Sequence, residues 1–285
     1  MNILYSNCDT FLNKKDELEI RITDDNGKQW PDLILMTEVK PKYSRYDLTI
    51  PELVIDGYQV FTSNLTMGRG TLLLARNDLD FQQLHCQGKD MVWGKCEKGK
   101  TTILLGNVYR SPNNTDDENK NMFDEMNRIM DTEGKNATIV ITGDFNLGSI
   151  DWKNRSANGL GKDLLNFLDD QGLEQLVDFN TRVRGLDKPS CLDLIITNEA
   201  ENVKNIEEYP PLGKSDHVVL QFSLHFEQKN KAIKNHVIKI TPKKINQTRI
   251  WTGRPVGIYF LSRNDWPLVS ASVKKTHCGS DRRFL

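Results

Sequence analysis

The first 228 residues are dominated by short apolar runs, each about as long as a β-strand and each closed by polar or turn-forming residues. Runs of that length are too short for a buried helix, and their number favours sheets over a helical bundle. Strands are expected over 2–6, 33–37, 58–63, 71–75, 81–86, 91–96, 102–109, 138–142, 192–197 and 218–225. Helical spacing is confined to three segments. Residues 13–22 set Leu18 and Ile22 four apart, 117–131 align Phe123, Met126 and Met130, and 161–170 align Leu164, Leu165 and Leu168. Many strands with helices scattered irregularly among them do not fit a strict βαβ winding. They predict an α+β fold: a four-layer αββα sandwich of two mainly antiparallel sheets flanked by helices.

Near residue 228 this rhythm fades. Residues 229–285 hold 13 Lys and Arg against two acids, a net +11, while the remaining 25 basic and 37 acidic residues give the body −12. The expected organisation is a folded domain over 1–228, with 229–285 as a basic linker or disordered extension. An acidic body argues against a role limited to gripping duplex DNA, because neutralisation of phosphates dominates such affinity.

The five cysteines are scattered and form no C-x-x-C pair, so neither a zinc site nor a disulfide framework is indicated. No secretory leader is visible, and no apolar run approaches the roughly 18 residues of a membrane span. A soluble intracellular protein with no membrane partner is the expectation.

The ends of the predicted strands are chemically unusual. "YSNCD" closes the first with Asn7 and Asp9, and "LILMTE" ends on Glu38. "ILLGNVY" ends on Tyr109, and "TIVIT" runs into "GDFN", with Asp144 and Asn146. Asp193 opens "LDLIIT", and Asp216 and His217 sit in "GKSDHVVL". Each position has a plainer explanation: Asn7 and Asp9 fit an Asx-turn, Tyr109 a half-buried sheet aromatic, and Asp216–His217 a satisfied polar turn. Asp193 is harder to explain that way, since a carboxylate on a buried strand needs a partner. Independent turns, moreover, need not all end core strands in Asn, Asp, Glu and His.

Carboxylates without clustered cysteines suit a hard cation such as magnesium, bound through oxygen and bridged to a phosphate. A metal ion and a histidine can stabilise charge on phosphoryl oxygens, and an aspartate can orient or deprotonate water. There is no G-x-S-x-G and no H-E-x-x-H, and the one match to G-x-x-x-x-G-K-[ST], "GKCEKGKT" at 94–101, joins two expected strands, 91–96 and 102–109, with no helix after it. Without the helix that a phosphate-cradling loop must open, that match does not read as a nucleotide triphosphatase, and with serine hydrolase and zinc protease motifs absent, hydrolysis of a phosphate ester remains.

The stretches "YSNCDTFLNKKDEL", "PDLILMTEVKP", "GRGTLLLAR", "LLGNVYRSP", "IVITGDFNLGSIDW", "TRVRGLDKPSCLDLIITN" and "LGKSDHVVLQF", in this order, resemble the endonuclease/exonuclease/phosphatase superfamily. In detail they are similar to the apurinic-like endonuclease domain of non-LTR retrotransposons, since "NVYRSP" followed by "GDFN" favours that branch over lipid phosphatases. The resemblance spans residues 3–222, and no Y-x-D-D polymerase motif accompanies it in these 285 residues.

The resemblance implies a magnesium-dependent DNA endonuclease, with manganese as the alternative ion, that nicks DNA and leaves a 3′-hydroxyl. It implies that Glu38, Asp9 and Asp216 hold metal, and that Asn7 binds the scissile phosphate beside the metal. Tyr109 would contact the phosphate, Asp144 would activate water with Asn146 beside it, and Asp193 would fix the ring of a charge-stabilising His217. Arg69 and the loop from Arg182 to Lys188 would meet the DNA, which places the expected location in the nucleus. Two rivals stay open: a lipid or small-nucleotide phosphoesterase of the same superfamily, and a non-catalytic nucleic-acid-binding fragment. Oligomeric state is not legible.

Overall fold

The computed structural model describes residues 1–23, 31–42 and 48–226. The expected basic extension, 229–285, lies outside these described residues. Among the described residues, twelve strands form two six-stranded sheets. The first contains β1 (Asn2–Asn7), β2 (Leu33–Thr37), β3 (Tyr58–Thr62), β4 (Thr71–Arg76), β11 (Val203–Tyr209) and β12 (Val219–Leu224), in the order β11-β12-β1-β2-β4-β3. The second contains β5 (Phe81–Gln83), β6 (Met91–Lys98), β7 (Thr101–Tyr109), β8 (Thr138–Asp144), β9 (Glu174–Gln175) and β10 (Asp193–Thr197), in the order β5-β6-β7-β8-β10-β9. All neighbouring pairs run antiparallel except β1 with β2 and β7 with β8. The sandwich of mainly antiparallel sheets is therefore the architecture observed.

Alternation along the strands makes the four layers. Inward residues such as Ile3, Leu35 and Leu73 of the first sheet meet Ile103, Leu105, Val140 and Ile195 of the second in one apolar cluster. The opposite face of the first sheet packs Ile34, Met36, Leu72 and Leu74 against Leu18 and Ile22 of α1 (Lys15–Ile22). The outer face of the second sheet takes Met122, Met126, Ile129 and Met130 of α3 (Asp116–Glu133) and Leu164, Leu165 and Leu168 of α4 (Leu160–Asp170). Thr115 and Glu118 form a reciprocal capping box that starts α3. A short α2 (Ile50–Leu53) uses the same device through Thr49 and Glu52.

Some elements differ from the sequence expectation. β11 was not expected, because "VKNIEEY" reads as polar; it is a sheet edge, where charged side chains project outward and discourage pairing with other chains. The strand expected over 81–86 stops at Gln83, and residues 11–13 form a 3-10 turn ahead of α1. Among the described residues no helix is long and apolar enough to cross a membrane.

Candidate active site

The two parallel pairs explain where the chemistry-bearing residues collect. β1 and β2 share a direction, as do β7 and β8, so the ends carrying Asn7, Thr37, Tyr109 and Asp144 come out at one edge of the sandwich. Antiparallel pairing brings in the rest. Asp193, the first residue of β10, lies opposite Asp144, and Ser6 of β1 pairs with Val219, so the residues just before β12 reach the same edge. The glycine of "GDFN" is dictated by this packing: a Cβ at Gly143 would lie 1.9 Å from the carbonyl oxygen of Val108 on the neighbouring strand.

Two hydrogen-bonded groups form the floor. In the first, Asp193 Oδ2 meets His217 Nδ1 at 2.7 Å, and the Tyr5 hydroxyl donates to Asp193 Oδ1 at 2.8 Å. The Thr181 hydroxyl accepts from the backbone N–H groups of Leu192 and Asp193, both at 3.0 Å, which holds the start of β10 in place. In the second, Asn7 Nδ2 donates to Asp144 Oδ2 at 2.9 Å, and the Asn146 N–H donates to Asp144 Oδ1 at 3.0 Å. Asn146 is held in turn by Arg110: its amide donates to the Arg110 carbonyl at 2.9 Å, and Arg110 Nη1 donates to the Asn146 carbonyl at 3.3 Å.

Burial and neighbouring charge set the protonation states. Asp144 is fully buried, and desolvation, reinforced by the charge of Asp193, lifts its carboxyl to about 7 against the pull of His217 and Asn7. Burial alone would lower the imidazole of His217, but the charge of Asp193 and the hydrogen bond to it win and raise it to about 9. The Tyr109 hydroxyl is raised by burial and then by Glu38, so it remains a donor at neutral pH. Asp144, Asp193 and His217 each bring a potential ligand atom within 4.8 Å of one another. Both oxygens of Asp193 and Nδ1 of His217 are nevertheless committed to the pairs just described, which favours a hydrogen-bonded network over a metal cage there.

Above this floor opens a cavity of about 750 Å³ whose lining includes Asn7, Asp9, Glu38, Arg69, Tyr109, Asn146, Arg182, Asp216 and His217. These candidate residues share one site, with Asp144 and Asp193 buried beneath it, whereas Lys188, at the far end of the expected DNA-contacting loop, lines a different cavity. Arg69 Nη2 lies 2.8 Å from Glu38 Oε2 and 2.7 Å from Asp9 Oδ1, and Arg182 Nε lies 2.9 Å from Asp216 Oδ2. Asp9, Glu38 and Asn146 have φ of 36°, 54° and 50°, a left-handed backbone that costs non-glycine residues on the order of 1 kcal/mol. Asp90, Asn136, Arg155 and Asn205, which do not line this cavity, share the same backbone sign.

Sequence reasoning missed Tyr5, Arg110, Thr181 and Ser215, whose hydroxyl donates to the Asn7 carbonyl at 2.9 Å and accepts from the His217 N–H at 3.2 Å. Arg110 lay within the quoted "NVYRSP" and signalled itself only as a charge next to a strand end. Tyr5 offered the clearer signal: it occupies the inward phase of β1 beside Ile3, a buried position that demands a partner for its hydroxyl.

The resemblance noted in the sequence is supported by a family model that matches part of the chain and by solved structures that share its two-sheet fold. Residues 103–221 match the family model described as Endonuclease-reverse transcriptase. The endonuclease domain of TRAS1, a telomere-specific non-LTR retrotransposon, is 17% identical with a TM-score of 0.62, over 79% of this chain and 97% of that one. The AP endonuclease LMAP from Leishmania major is 15% identical, TM-score 0.61, over 79% and 88%. The 3′ phosphatase NExo from Neisseria is 15% identical, TM-score 0.57, over 79% and 100%. At these identities the likeness shows the fold. No curated protein matches the chain.

Proposed function

We propose that residues 1–228 form a divalent-metal-dependent DNA endonuclease domain, followed by a basic extension over 229–285, that hydrolyses one backbone phosphodiester and leaves a 3′-hydroxyl. The observation that carries this reading is the pairing at the floor of the cavity. Asp144 has an elevated pKa and is oriented by Asn7 and Asn146, and it lies beside a histidine kept cationic by Asp193. One group is suited to take a proton and the other to face developing negative charge.

Asp144 orients a water and accepts its proton as the water oxygen bonds to phosphorus. The bond from phosphorus to the 3′ oxygen breaks, and that oxygen takes up a proton to become the hydroxyl. His217 and the Tyr109 hydroxyl donate to the phosphoryl oxygens, whose charge grows in the transition state. Asn7 and Asn146 donate amide hydrogens around the same phosphate while holding Asp144 in register.

Glu38 and Asp9, with Asp216, are hard oxygen donors that would hold the divalent ion, magnesium or manganese. The fit is supported by Arg69: one guanidinium nitrogen touches both Glu38 and Asp9, so the two carboxylates already converge on a single cation. When bound, such an ion neutralises phosphate charge. Arg182 and Arg184, near Asp216, offer guanidinium groups to the flanking phosphates of a polyanion. A DNA substrate places the protein in the nucleus in this reading.

The substrate class is tested by side-by-side turnover of supercoiled plasmid, an abasic-site duplex, phosphoinositide and small-nucleotide esters. Turnover of DNA above every other ester is expected. Preference for a lipid or nucleotide ester would overturn the substrate, and binding of DNA without turnover of anything would overturn the enzyme.

A further inference from the structure

All three carboxylates proposed to hold metal are already engaged by arginines. Arg69 spans Glu38 and Asp9 through one nitrogen, while its Nε donates to the Lys40 carbonyl at 2.8 Å and fixes the guanidinium over the pair. Arg182 takes Asp216 at 2.9 Å, from a segment anchored by backbone bonds on both sides: Val183 N–H to the Asp216 carbonyl and Val218 N–H to the Thr181 carbonyl. Glu38 Oε2, Asp9 Oδ1 and Asp216 Oδ2, the oxygens that face the cavity's cations, are the atoms the guanidinium groups occupy.

We propose that Arg69 and Arg182 are internal counter-cations that couple metal loading to DNA binding, an inference that rests on the nuclease reading above. A divalent ion and a guanidinium compete for the same carboxylate oxygens, so metal bound at Glu38 and Asp9 loosens Arg69. Metal at Asp216 does the same to Arg182. A released guanidinium is a planar, permanently charged fork whose preferred new partner in this cavity is a phosphate. The converse follows by reciprocity: phosphates that draw the two arginines away leave the carboxylates free, so each ligand raises affinity for the other by the same factor. Without DNA the arginines neutralise Glu38, Asp9 and Asp216 and keep metal affinity low. The site then assembles its metal on substrate.

The test measures Mn2+ binding by the full chain through the loss of the free-ion electron paramagnetic resonance signal, with and without a short DNA duplex. An Asp144→Asn background keeps the duplex intact. In this background the duplex is expected to tighten Mn2+ binding about tenfold, within the roughly 5- to 150-fold span typical of such coupling, and Mn2+ to tighten duplex binding equally. Arg69→Gln is expected to bind Mn2+ about tenfold more tightly without DNA and to lose most of the further gain when duplex is added. Arg182→Gln repeats the measurement at Asp216, and it carries the test if Arg69→Gln does not fold. Unchanged or weaker Mn2+ binding in a folded variant, or undiminished coupling in both, overturns the proposal. Failure of the nuclease reading looks different: Mn2+ and duplex bind cooperatively, yet the wild-type chain cleaves no DNA.

Discussion

The protonation of His217 is the sharpest consequence of the buried network. Its imidazole, nine-tenths out of water, is opposed by burial and rescued chiefly by Asp193, which raises it from 6.5 to about 9. That difference corresponds to about 3 kcal/mol of preference for the folded, protonated state at roughly 1.4 kcal/mol per unit. Because the folded value lies above the unfolded one, this stabilisation is fully present below pH 6.5 and is lost as pH rises through about 9. Asp193→Asn preserves the shape and one acceptor but removes the charge, so burial should return His217 to 6.5 or below. At pH 7.5 the cationic fraction would then fall from nearly all to roughly a tenth, by the same relation. The expected loss in kcat/KM at that pH is about tenfold beyond any constant factor, shrinking towards pH 5.5, where both proteins carry the cation. Carbon-13 titration of the His217 ring, identified by its disappearance in His217→Gln, gives the pKa directly, and kcat/KM across the same pH range gives the consequence. A wild-type ring titrating near 6.5, or an activity ratio that does not change with pH, refutes the reasoning.

Other consequences can be read by stability and rate. Asp90 is raised to about 6 by burial, against bonds from the Gly70 and Arg69 backbones, so the folded state loses stability as pH rises through that value. Denaturant unfolding of Asp90→Asn against wild type should swing by up to about 3 kcal/mol in the variant's favour between pH 4 and 8. Gly143→Ala places a methyl against the Val108 carbonyl and should destabilise the chain by roughly 3 kcal/mol while lowering activity, since Asp144 is the next residue. Tyr5→Phe removes the donor to Asp193 Oδ1 and should cost about 1–2 kcal/mol in thermal unfolding, with a smaller loss in kcat than Asp193→Asn causes.

What could be read from the sequence was what strand chemistry makes periodic. The apolar runs fixed β1, β2, β4, β7, β8, β10 and β12 to within one or two residues at either end, and with them the positions of Asn7, Glu38, Tyr109, Asp144, Asp193 and His217. The edge strand β11 escaped because the charges that protect an exposed edge also erase its apolar signature. The supporting residues escaped for a different reason. Tyr5 and Asp193 lie 188 positions apart, and nothing local to either names the other. Ser215 and Thr181 each hold backbone through a single hydroxyl, which in sequence is indistinguishable from a turn residue. In sequence, Arg69 and Arg182 are loop charges suited to DNA. Their engagement with Glu38, Asp9 and Asp216 depends on three loops meeting at one edge, which only the sheet topology decides.

The central claim, that this edge cleaves DNA through Asp144 and His217 with a divalent ion, is tested most directly by supercoiled-plasmid nicking. The full chain would be assayed with magnesium, with EDTA, and as Asp144→Ala and His217→Ala. The account predicts nicking that requires the metal and falls by at least about a hundredfold in each variant, as expected for loss of a proton acceptor or a charge stabiliser. Each nick should carry a 3′-hydroxyl that a polymerase extends. Nicking that survives in both variants, or a folded wild type that nicks nothing with magnesium or manganese, would contradict it.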